Sequence, residues 1–228
     1  MTALDMAARL PDIETLRQRC QAVAMLDAIL SPDWESRYFS YTQDWGGFPC
    51  AQIRNGSGDD CFITFGPAGA FIRGFDHESS MTPWRVDPPK LWPGLVDNVP
   101  APFAEFLTEP AFGFDGVFAA TYCLWRQRND GEWRTGPVDY AEFAGRPDPD
   151  GADQFLELLT DPTPHSYVDF ALGYFEVQLD PRVVAHVYEL NPLTEQLVRA
   201  LNPDVGLHDI ADDIDTSRYP TQCDAAPS

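Results

Sequence analysis

The chain has 228 residues, 44% hydrophobic and 13% aromatic, with a formal net charge of −21. That length suits one large domain or two small ones, and the composition supplies material for a packed core. A field of this sign repels nucleic acid and anionic lipid and attracts cations and basic proteins.

In chain order, residues 11–30 read as a helix. Pro11 suits a first turn, and Ile13, Leu16, Cys20, Val23 and Leu30 share one face. Ser31-Pro32 ends it. Residues 37–75 read as a β-meander of Tyr38–Thr42, Pro49–Arg54, Cys61–Phe65 and Ala70–Phe75. Asn55-Gly56 and the tight turn Gly66-Pro67-Ala68-Gly69 separate the later strands. Apolar residues on both faces of Cys61–Phe65 place that strand centrally. Residues 76–98 read as an irregular loop, stiffened by Pro83, Pro88, Pro89 and Pro93. A short helix is expected at Ala101–Thr108, with Phe103, Phe106 and Leu107 inward. A second hairpin, Val117–Arg126 with Glu132–Thr135, is expected across Asn129-Asp130-Gly131.

The remainder reads as helices. Gly151–Leu159 comes first. Thr163-Pro164 is expected as cap and first residue of the next, whose stripe is Tyr167, Phe170, Ala171, Tyr174 and Phe175. Asp180-Pro181 opens Val183–Leu190. Leu193, Leu197 and Leu201 mark another, and Leu207, Ile210, Ala211 and Ile214 the last. Strands followed by helices predict an α+β fold: an antiparallel β-meander packed with an N-terminal helix and four to five C-terminal helices. One domain is expected over 1–220, sheet-rich at 35–136 and helical at 147–216, with a disordered tail at 221–228.

Charge is unevenly spread. Residues 136–228 hold 18 acidic side chains against 4 Arg, a balance of −14; residues 1–135 hold 18 against 11, a balance of −7. Genomic base composition or salt adaptation would also give 14 Arg beside one Lys, Lys90. Asp153, Asp169, Asp180, Asp209 and Asp212 fall near helix starts, where carboxylates offset the macrodipole. Asp5, Asp12, Glu14 and Asp27 interrupt any leader-like apolar run, and no stretch has the length of a membrane span. The five cysteines are scattered without a CxxC pair, which predicts thiols and a reducing cytoplasm. A two-residue turn at Asn55-Gly56 would leave one exception, by setting Cys50 opposite Cys61.

Asp76-His77-Glu78-Ser79-Ser80 is the densest polar cluster. It follows a strand, and His77 with Asp76 or Glu78 could serve as an acid–base pair or as metal ligands. The competing reading is a loop of turn-forming residues. Trp84-Arg85 and Lys90-Leu91-Trp92 set cations beside rings, a strip that could grip a ligand or fold back as a lid on the sheet. Asp27 lies in an apolar stripe. It requires a partner such as Arg37, Arg54 or Arg73, or a raised pKa. Asp148, Asp150, Asp153 and Glu157 hint at a calcium loop, but Gly151 is misplaced for one and an N-cap fits better. His186 and Glu189 share a helix face; His165 and His208 have no acid at ligand spacing. No GxSxG elbow, Walker loop, dinucleotide fingerprint or zinc pair occurs.

The segment Gly69-Ala70-Phe71-Ile72-Arg73-Gly74-Phe75-Asp76-His77-Glu78-Ser79 resembles one in a family of conserved hypothetical bacterial proteins. The same family shares Asn55-Gly56-Ser57-Gly58 and Pro147-Asp148-Pro149-Asp150-Gly151-Ala152-Asp153. The resemblance implies a bacterial, cytoplasmic setting and carries over no functional residue.

Two functions follow as expectations. The first is an acidic cytoplasmic interaction factor of the immunity or inhibitor type. It would steer a basic protein partner with its C-terminal helices and anchor it with loop aromatics. The second is a small hydrolase or metal-assisted enzyme, with Asp76, His77 and Glu78 at a pocket lined by Trp84 and Trp92. A purely accessory subunit is a third reading. No cofactor and no resident metal are expected. Arg73, Trp84, Arg85, Trp92 and Asp27 are the candidate binding residues.

Overall fold

A computed structural model describes residues 1–222. The expected disordered tail lies outside the described residues from Cys223 onward. Thr221 and Gln222 are described, and Gln222 N–H donates to the Leu193 carbonyl.

The fold is α+β. Two N-terminal helices, α1 (Ala3–Arg9) and α2 (Ile13–Leu30), precede the strands β1 (Phe39–Trp45), β2 (Phe48–Arg54), β3 (Asp60–Gly66) and β4 (Gly69–Phe75). Short strands β5 (Gly113–Phe114) and β6 (Val117–Phe118) come before β7 (Tyr122–Gln127) and β8 (Arg134–Thr135). Five helices close the chain: α3 (Ala152–Thr160), α4 (His165–Tyr174), α5 (Pro181–Tyr188), α6 (Glu195–Leu201) and α7 (Ala211–Ser217). Six strands form an antiparallel sheet in the order β1-β2-β3-β4-β7-β8, and β5-β6 is a separate ribbon. Among the described residues, no helix is long and apolar enough to cross a membrane.

The chain divides into two compact units: residues 1–13 with 53–160, and residues 14–52 with 161–228. Each draws on both the sheet-rich and the helical stretches.

In the first unit, β3 and β4 pair from Asp60↔Phe75 to Gly66↔Gly69, and β4 pairs β7 from Gly69↔Gln127 to Gly74↔Tyr122. Cys61–Phe65 and Gly69–Gly74 are buried, as strands covered on both faces must be. Gly74 makes the β4–β7 packing possible, since a Cβ there would fall within the ring of fully buried Tyr122. The expected strand 117–126 is broken. Asp115-Gly116, with φ of 50° and 76°, turns β5 onto β6, and β7 starts only at Tyr122. Residues Ala101–Thr108 coil as a 3-10 helix with Phe103 and Phe106 buried, while Leu107 is half-buried.

Helix α1 was not expected. Thr2 and Asp5 form a reciprocal capping box, in which Asp5 N–H donates to the Thr2 hydroxyl and Thr2 N–H donates to the Asp5 carboxylate. Helix α3 is capped by Asp148, which accepts from Asp153 N–H at 2.9 Å and Gln154 N–H at 3.0 Å. Buried Asp150 accepts from Ala3 N–H, Ala152 N–H and the Tyr140 hydroxyl. The acidic run therefore serves as caps and ties.

In the second unit, α2 is buried on every side from Cys20 to Ile29, not along a single stripe. Two of its polar groups are tied to other segments: Gln21 Nε2 donates to the Ser217 carbonyl, and the Ile29 carbonyl accepts from Asn202 Nδ2. Helix α4 starts at His165 with Pro164 as its cap residue, one position later than expected. Asp161 instead accepts from Thr163 N–H and both nearby hydroxyls, Thr163 and Ser166. Within the expected stripe, Tyr167 and Ala171 are buried but Tyr174 is exposed. Asp180 caps α5 through Arg182 N–H, and Thr194 caps α6 through Leu197 N–H.

Candidate functional site

The site grows out of the β3–β4 hairpin in the first unit. With Asp60 opposite Phe75, the residue entering β3 (Asp59) meets the residues leaving β4 (Asp76 and His77). Asp59 is the hub. Its Oδ1 accepts from His77 N–H at 2.8 Å and lies 2.5 Å from His77 Nδ1, while Oδ2 accepts from Asn55 Nδ2 at 2.6 Å. Asn55 Oδ1 in turn accepts from Ser57 N–H at 2.9 Å, so the Asn-Gly-Ser-Gly loop serves to hold this carboxylate. That loop spans Asn55–Asp59, longer than the two-residue turn expected. Cys50 and Cys61 remain buried thiols, as do Cys20 and Cys123.

The side chain of Asp59 is 6% exposed and that of His77 is 46% exposed. The pair thus has a buried anchor and an accessible head. Burial would push the Asp59 carboxyl up, but the hydrogen bonds from His77 and Asn55 outweigh it and hold it below the usual range. The hydrogen bond to Asp59 raises His77, and the Asp59 charge adds to that. Because Nδ1 is committed to Asp59, Nε2 is the nitrogen His77 offers outward.

The partner of His77 is therefore Asp59, in place of the expected Asp76 or Glu78. Asp76 Oδ1 accepts from Glu78 N–H at 2.8 Å and Ser79 N–H at 3.1 Å, closing the turn after β4. Burial pushes the Asp76 carboxyl up against these bonds. Glu78 is exposed. Ser79 is buried and donates its hydroxyl to the Pro149 carbonyl at 2.7 Å, so it is not poised as a nucleophile. Asp59, Asp76 and His77 each offer one ligand atom, all within 4.8 Å of one another, and among the described residues these could hold a cation. His77 Nδ1 is already held by Asp59 at 2.5 Å.

His77 opens on a cleft of about 480 Å³ lined by Gly58, Phe75, Thr82, Trp84 and Phe114. Trp84 meets Phe75 edge-on at 5.6 Å between ring centroids and Phe114 edge-on at 5.8 Å. Phe114, the last residue of β5, is 63% exposed. Trp92 does not line this cleft, contrary to expectation. It packs on Phe143 at 5.1 Å and carries the Arg85 guanidinium over its ring at 4.6 Å. Arg85 also donates to the carbonyls of Thr82, Lys90 and Leu91, which folds the proline-rich loop on itself. Arg73 is buried structure. It pairs with Asp60, donates to the Phe112 carbonyl and lies within 6 Å of the rings of Phe62, Phe75 and Phe112.

Asp27 belongs to the second unit and is fully buried. Its described hydrogen-bond partners are a tyrosine and two backbone amides. Its Oδ1 accepts from the Tyr167 hydroxyl at 2.6 Å, and Oδ2 accepts from Phe39 N–H at 2.8 Å and Tyr38 N–H at 3.0 Å. Burial pushes its carboxyl up to about 7, with these three bonds pulling the other way. Arg37 pairs instead with Asp213 and the carbonyls of Ser31 and Pro32. His186 Nε2 lies 3.1 Å from the Pro192 carbonyl, and Glu189 accepts from Asn191 Nδ2, so they form no metal pair.

Sequence reasoning missed Asp59 and Phe114. Asp59 was recoverable from hairpin register, since a turn at 66–69 sets position 60 opposite 75. Phe114 was recoverable from the Asp115-Gly116 turn signal. Searches against family models, curated proteins and solved structures find no match for this chain.

Proposed function

We propose that the protein is a small-molecule hydrolase in which His77, oriented by Asp59, is the general base. The observation that carries this reading is a buried carboxylate bonded to Nδ1 of a half-exposed imidazole at the mouth of an aromatic cleft. Asp59 fixes the tautomer and stabilises the imidazolium, as the third member of a triad does. With Ser79 spent on a backbone carbonyl, water is the nucleophile this site leaves available. His77 Nε2 takes a proton from water, the hydroxide adds to an electrophilic carbon, and the imidazolium returns that proton to the leaving oxygen. The ordered, buried thiols suit a reducing compartment, and the cytoplasm belongs to this reading.

Docking of a basic protein draws less support. Several carboxylates it would use are engaged within the chain: Asp180 as a cap, Asp161 with Thr163 N–H, Asp213 with Arg37, Glu195 with Arg199 and Leu207 N–H, and Asp209 with Gly206 N–H.

The test is hydrolysis of a panel of p-nitrophenyl esters by the wild type, His77→Gln and Asp59→Asn. The wild type should exceed His77→Gln by about 100-fold or more. Its rate should rise with pH through the His77 midpoint, since only the neutral imidazole accepts a proton. Asp59→Asn should lower that midpoint, read by NMR. Equal rates for wild type and His77→Gln across the panel, with a His77 midpoint insensitive to Asp59→Asn, overturn the proposal.

A further inference from the structure

The geometry points to an organic cation, a quaternary or alkylated ammonium group, as the part of the ligand that the cleft beside His77 recognises. This rests on the reading of that cleft as the substrate site and names the substrate class. Three rings bound the cleft. Trp84 stands centrally, and Phe75 and Phe114 each meet it edge-on. In an edge-to-face pair the positive edge of one ring meets the negative π-face of the other, and the exposed Phe114 ring adds aromatic surface to the cleft that a guest can reach. Phe114 is an exposed large apolar side chain placed there by a tight Asp-Gly turn. A face of this kind attracts a cation and gives a neutral guest only apolar contact.

The charge around the cleft has the complementary sign. No Lys or Arg lines it. Asp59 and Asp76 stand behind His77, and Glu78 follows it, so the polar flank stays net negative even with His77 protonated. Arg73 approaches Phe75 at 5.8 Å but is paired with Asp60 and buried. The protein as a whole carries −21, which draws cations toward any such opening. An anionic ligand would meet like charge on this flank, and a neutral one would gain nothing from it.

The test compares choline with 3,3-dimethylbutan-1-ol, the same shape without the charge, by isothermal titration on the full chain. Choline should bind about tenfold more tightly. Trp84→Leu keeps apolar bulk but removes the ring, and should erase most of that gap. Phe114→Leu, at an exposed position where folding is not at stake, should reduce it. Equal binding of the two compounds, failure of both to bind, or a gap unchanged in both leucine variants overturns the inference. His77→Gln separates the two proposals. It should lower ester hydrolysis about 100-fold or more while leaving choline affinity within about threefold, because the rings and carboxylates remain. Hydrolysis that depends on His77 without selective choline binding would remove the substrate class and leave the acid–base site standing.

Discussion

Replacing Asp27 by Asn should flatten part of the pH dependence of stability. The carboxyl is fully buried and sits at about 7 in the fold against an ordinary value of 3.8. Between those values the unfolded chain has lost the proton and the folded chain keeps it. Folding therefore takes up a proton there, and stability falls as pH rises through this window. The two values stand about three pH units apart, and at about 1.36 kcal/mol per unit the loss approaches 4 kcal/mol. That is a large share of the roughly 5–15 kcal/mol that holds an ordinary domain together. Asn mimics the protonated form. Its oxygen can accept from Tyr38 and Phe39 N–H, and its amide can donate to the Tyr167 hydroxyl, which is able to accept. Urea unfolding of both proteins at half-unit steps from pH 4.5 to 8.5 isolates the effect, because every other group cancels in the difference. The advantage of Asp27→Asn should grow steadily from pH 4.5 and level off above pH 7. A difference that stays flat refutes the raised carboxyl and the physical account given for it.

Two other outcomes follow from the first unit. Gly74→Ala drives a methyl group into the ring of Tyr122, which is itself fully buried and has nowhere to retreat. It should cost about 3 kcal/mol in urea unfolding, the upper end for overpacking; a neutral effect would show that β4 and β7 are less closely packed than described. Burial pushes the Cys61 and Cys123 thiols up to about 12. Neither should label with iodoacetamide at pH 8 in the folded protein, and both should label in guanidinium; peptide mass spectrometry reads this, and rapid native labelling would contradict it.

Much of the fold was legible in the sequence because its signals are local. Strand period and the turn at Gly66–Gly69 located β3 and β4, and Asp180-Pro181 located α5. The Thr2–Asp5 box was just as local but fell ahead of the proline taken as the start of the first helix. Other features depend on distant chain. Burial of α2 on all sides comes from packing partners that no periodicity reports. Asp27 stood out as misplaced, yet its partner Tyr167 lies 140 positions away, and the sequence offered arginines as readily. At the site, His77 was singled out from its neighbours, but its partner stands 18 positions earlier. Adjacent carboxylates in a turn cap that turn; the group that reaches the imidazole comes from across the hairpin.

The loop bearing Trp84 is braced by its own backbone, through Arg85 on three carbonyls and through Lys90 N–H on the Pro83 carbonyl at 3.0 Å. A wall fastened in this way is preorganised. Its conformational entropy was given up during folding, so little remains to be lost when a guest arrives. Affinity at the cleft should then be governed by how slowly a guest leaves, with its rate of entry close to that of an open surface.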